Sequence, residues 1–71
     1  MNRDTILDEL RRIEHEVVEG ERMLAEHEAA LVALAKQNRD TSKAQAALNV
    51  MREDQRRLDQ DRQRLLSLLQ P

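Results

Sequence analysis

Apolar residues in the first half of the chain recur at Ile6, Leu10, Ile13, Val17, Leu24, Leu31 and Leu34, and Gly20, His27 and Asn38 complete the same series. The steps alternate between four and three residues, the heptad spacing that gathers one face of an α-helix into a seam. With Leu10 at a, Val17, Leu24 and Leu31 are also a positions, while Ile6, Ile13, Gly20, His27 and Leu34 are d positions. A second series runs through Ala44, Leu48, Met51, Gln55, Leu58, Arg62, Leu65 and Leu69, with Leu48 at a and Met51 at d. Each seam is interrupted twice, by Gly20 and His27 in the first and by Gln55 and Arg62 in the second.

Extended past Asn38, the first frame would place its next a at Gln45, whereas the second requires Leu48. The slip falls at Arg39-Asp40-Thr41-Ser42-Lys43, a segment poor in helix formers and rich in capping residues. A turn accounts for both facts. The pattern therefore predicts an all-α fold, one helical-hairpin domain spanning 1–71, with a first helix near 4–37, a turn near 38–42 and a second helix near 42–69. Asn2 or Asp4 suits the N-cap of the first helix. Ser42 with Gln45 three residues on suits a capping box for the second, with Asp40 or Thr41 as alternatives. Pro71 marks where the second helix has stopped.

Two antiparallel registers compete. Pivoting about Thr41 pairs Leu34 with Leu48, Leu31 with Met51, Leu24 with Leu58, Val17 with Leu65 and Ile13 with Leu69. It also matches the odd residues as polar layers, His27 opposite Gln55 and Gly20 opposite Arg62, so this register is the expected one. Its rival, one heptad shorter, pairs Ile6 with Leu69 and Leu10 with Leu65, sets Arg62 against Ile13 and His27 against Leu48, and implies a loop of roughly a dozen residues, long for a helical hairpin. In the expected register His27 is a buried polar residue that fixes the pairing, and burial would also make it sensitive to pH.

Seam burial alone falls short of the entropy of ordering a chain this size. Outside the seam, Val18, Ala25 and Val32 repeat at seven on one flank, joined by Met23, Ala29, Ala30 and Ala33, with Ala46, Ala47 and Val50 on the second helix. In the expected register Ile6, Leu7 and Leu10 overhang the partner helix, and Leu66 and Leu68 lie off the seam nearby. Ile6, Leu7, Leu10, Val18, Met23, Ala25, Val32, Val50, Leu66 and Leu68 form the expected contact surface. The simplest occupant is a second copy, giving a homodimeric four-helix bundle.

Composition narrows the chemistry. The 71 residues contain no aromatic residue and no cysteine, which excludes base-stacking platforms, disulfide staples and thiolate zinc sites. A single glycine and a single proline leave nothing for a phosphate-cradling loop. No stretch has the length and apolarity of a membrane span and no signal-peptide core opens the chain, so the expected location is cytoplasmic, without membrane association. The net charge of -2 is unevenly spread: residues 1–38 carry five basic and nine acidic groups, and residues 39–71 carry seven basic and five acidic. Two segments of opposite sign suit neighbouring helices.

Chemistry-bearing residues are sparse. His15 and Glu19 share a helix face, but two ligands do not make a metal site. Ser42, Thr41 and Ser67 have no base arranged to activate them, so neither an enzyme nor a bound cofactor or metal is expected. Arg52, Arg56, Arg57 and Arg64 gather on the outer face of the second helix, a possible nucleic-acid footprint diluted by Glu53, Asp54, Asp59 and Asp61. The expected role is a small protein-interaction or regulatory module that self-associates; the alternative is a nucleic-acid-binding regulator using those four arginines.

Overall fold

The computed structural model describes residues 2–70. The reading of Pro71 as a helix stop lies outside the described residues. The chain is all-helical: α1 spans Arg3–Lys36, α2 spans Ser42–Leu69, and the two pack as a hairpin. Both boundaries lie within a residue or so of those predicted from the heptad frames.

Local chemistry sets the ends. Asn2 caps α1, its Oδ1 accepting the Thr5 N–H at 2.8 Å, with Asp4 in the first turn and Lys36 in the last, each sign favourable to the helix dipole. At the other end Asn38 takes a left-handed conformation with φ 55°. The Arg39 N–H reaches Leu34 O at 3.0 Å and the Asn38 N–H reaches Ala35 O at 3.0 Å, the paired bonds of a Schellman motif. Asparagine is one of the few residues besides glycine that adopts this conformation at modest cost. The start of α2 differs from the expected capping box. Ser42 is already helical and Thr41 is the N-cap residue. Asp40 Oδ1 instead accepts both the Ser42 N–H at 2.9 Å and the Ser42 hydroxyl at 2.6 Å, while the Gln45 side-chain amide donates to Thr41 Oγ1 at 3.1 Å.

The register is the rival one. Gly20 faces Gln55, not Arg62: a Cβ on Gly20 would overlap Gln55 Oε1 and lie 2.7 Å from its Cδ. The Gln55 amide passes over the bare glycine and donates to Val17 O across the hairpin at 2.8 Å. Ile6, Leu10 and Leu65 form one buried cluster, with Ile13, Leu66 and Leu69 packed against it. Arg62 is half-buried and meets Glu14 across the hairpin at 3.7 Å. His27, expected as a buried partner of Gln55, is exposed, which removes the premise of a buried pH-sensitive histidine.

Two features of the chain favour the observed register over the expected one. The missing side chain at Gly20 accommodates a crossing glutamine as well as a crossing arginine, and the Schellman motif reverses the chain at Asn38, so that only residues 37–41 lie between the helices. Burying Ile6 and Leu10 against Leu65 rather than leaving them overhanging is worth about 2 kcal/mol per side chain, more than the polar pairings offered.

The seam positions are otherwise buried or half-buried throughout, except His27 and the turn residue Asn38. Burial is uneven along the rod: among the described residues the buried side chains Ile6, Leu10 and Leu65 lie at the terminal end, and Leu48 lies toward the turn. The molecule is 54 Å long and 15 by 14 Å across.

Two stability predictions follow from these contacts. Gly20→Ala should be near neutral, because a helix-propensity gain of about 1 kcal/mol offsets loss of the Gln55 hydrogen bond. In a Gln55→Ala background the same change should stabilise by about 1 kcal/mol; equal effects in the two backgrounds, measured by urea melts, would show that the residues do not face each other. At the turn, Asn38→Ala should cost about 1 kcal/mol while Asn38→Gly costs nothing measurable, because only glycine keeps the left-handed cap without a Cβ penalty.

Candidate functional site

Among the described residues no enclosed site forms between the two helices; what the hairpin offers is surface. One side carries two shallow grooves. The larger, about 460 Å³, is lined by Glu28, Leu31, Val32, Gln45, Leu48, Asn49 and Arg52. The smaller, about 380 Å³, is lined by Glu14, Val17, Val18, Glu21, Asp59 and Arg62. Glu14, Glu21, Glu28, Gln45, Arg52 and Asp59 occupy e positions, and Val18, Val32 and Asn49 occupy b positions, so both grooves open on the same face. There the seam residues Val17, Leu31 and Leu48 are reached between the helices, flanked by Val18 (64% exposed) and Val32 (50% exposed).

The expected contact surface divides in two. Ile6 and Leu10 are buried inside the hairpin and Leu7 and Leu66 are half-buried, so the overhang disappears: helix 2 covers it. Val18, Met23, Ala25, Val32, Val50 and Leu68 remain exposed. Apart from Leu68 and Val18, this exposed set lies in the half nearer the turn, where Ala29, Ala30, Ala33, Ala46 and Ala47 are exposed as well. Apolar side chains there extend around both helices, which a helix surrounded only by water does not favour.

The remaining candidates are paired or dispersed. Arg52 meets Glu28 at 3.5 Å, Arg56 and Arg57 meet Glu53 at 2.6 and 3.7 Å, and Arg64 meets Asp61 at 3.7 Å, so each of the four arginines already has a carboxylate within reach. The possible nucleic-acid face is thus electrostatically compensated. His15 is exposed, and the Glu19 carboxylate beside it accepts two hydrogen bonds from Arg22, at 2.8 and 3.2 Å. Among the described residues no three His, Cys, Asp or Glu side chains gather as metal ligands, and no helix is long and apolar enough to cross a membrane.

Three carboxylates are held below their ordinary range by hydrogen bonds to the charged form: Glu19 by Arg22, Asp40 by the Ser42 hydroxyl and N–H, and Glu53 by Arg56. A depressed folded-state value stabilises the fold above the unfolded value, and that contribution disappears as pH falls through the folded one. The thermal midpoint should therefore drop on acidification below the ordinary carboxylate values of 4.5 for Glu and 3.8 for Asp. A Glu19→Gln, Asp40→Asn, Glu53→Gln variant should lose less between pH 5 and pH 3 than wild type, as read by circular dichroism melts. All three groups are solvent-exposed, so the difference should also shrink in high salt.

Set against known proteins, the chain matches no family model, no curated protein and no solved structure.

Proposed function

We propose that the hairpin is a protein-interaction module that self-associates through its grooved face to form a homodimeric four-helix bundle. The observation that carries this reading is surface in excess. The chain exposes 5601 Å², about 1,000 Å² more than a compact monomer of the same mass would. A standard protein interface removes about 800 Å² from each partner, so closing one face would account for most of the surplus. Val18, Ala25 and Val32 supply small side chains that permit close helix approach, and the grooves between α1 and α2 provide the recesses that ridges on another helix pair would enter.

The use of the α2 arginines on nucleic acid is less well supported, since their carboxylate partners would have to be displaced before phosphates could bind.

Sedimentation equilibrium of the chain at micromolar concentration should give the mass of a dimer. Val18→Glu combined with Val32→Glu should weaken association at least tenfold, equivalent to about 1.4 kcal/mol, whereas Gln60→Glu on the outer face of α2 should leave it unchanged. A monomer at every concentration, or salt-sensitive retention on DNA or RNA that is abolished by Arg56→Glu with Arg57→Glu, would overturn the proposal.

A further inference from the structure

We infer that the second copy seats on the grooved face with both turns at the same end of the bundle, so that α1 of each chain lies on α2 of the other. This orientation rests on the self-association proposed above and adds the direction of the partner. Two face-to-face arrangements are compatible with two-fold symmetry. If the axis runs along the hairpin, the turns coincide and α1 meets the second copy's α2. If it runs across the hairpin, the turns point apart and like helices meet.

Charge selects the first arrangement. Residues 1–38 carry a net -4 and residues 39–71 a net +2. On the grooved face itself α1 presents Glu14, Glu21 and Glu28, whereas α2 presents Arg52 and Arg62 with Asp59 as the single acid among the groove-lining residues. Coincident turns stack the acidic helix on the basic one at both contacts, while opposed turns stack acidic on acidic.

The apolar surface on this face agrees. Its exposed apolar side chains Val18, Ala25 and Val32 run from the middle of α1 toward the turn, whereas Asp4 and Arg11, on the same b stripe nearer the termini, are charged. With the turns apart and the chains fully overlapped, the apolar part of α1 would be laid against these charges on the second copy's α1, losing burial and desolvating charge.

The absence of cysteine makes the test clean. Arg39→Cys at the turn and Arg3→Cys near the termini, both at exposed positions, each provide one attachment point for a spin label on the full-length chain. Sedimentation equilibrium of each labelled variant establishes its mass, and pulsed dipolar spectroscopy gives the distance between the two labels of a dimer. A dimer with a short separation at both positions, about 30 Å or less given helix spacings of 8–10 Å, is the expected result. A dimer in which both separations approach the 54 Å long axis would overturn the orientation and leave self-association standing. A monomer at every concentration would overturn both.

Discussion

The packing of Leu65 against Ile6 and Leu10 is the contact on which the rest of the hairpin depends. Leu65 is 2% exposed and the other two 5% and 8%, so this cluster behaves as a small hydrophobic core at the open end of the rod. Because side chains on a heptad seam repeat in discrete steps, closing this end sets every other pairing. It brings Gln55 to Gly20 and Arg62 past Ile13, and it leaves His27 without an enclosing partner. The single glycine, costly in the middle of a helix, is explained by that alignment: only a residue without Cβ lets the Gln55 amide cross to Val17 O.

Closing the terminal end has an energetic counterpart at the other end. Among the described residues only Leu48 is buried toward the turn, although both helices there are rich in alanine and valine. The Schellman motif at Asn38 and the Asp40 contacts to Ser42 hold the turn by hydrogen bonds rather than by apolar packing. Its rigidity is therefore local, and its apolar side chains remain free to contact another molecule. A thin rod has too little interior for its own greasy residues, and the surplus collects where the two helices enclose least.

Surface electrostatics decorate this framework without setting it. Among the described residues most ion pairs link residues three or four apart on one helix, and two cross between helices, Arg52 with Glu28 and Arg62 with Glu14, spanning 3.5 and 3.7 Å. Such exposed pairs contribute little to stability. Composition rather than pairing leaves the two halves with charge of opposite sign, a net -4 over residues 1–38 and +2 over residues 39–71.

The local features of this protein were legible in its residue order. Heptad spacing, the three-residue slip near Asp40 and the Asn2 cap specify two helices and a turn within a residue or so, because helical periodicity and capping depend only on neighbours in the chain. The seam residues were legible for the same reason, with His27 and the turn residue Asn38 the exceptions. Register was not, because two alignments one heptad apart satisfy the same periodicity and differ only in which residues meet across the hairpin, as with Val17 and Gln55, 38 positions apart, or the cluster of Ile6, Leu10 and Leu65. Tertiary packing decided between them by burying the most aliphatic surface. It thereby determined which apolar residues are consumed inside the hairpin, Ile6 and Leu10, and which are left outside, Val18 and Val32.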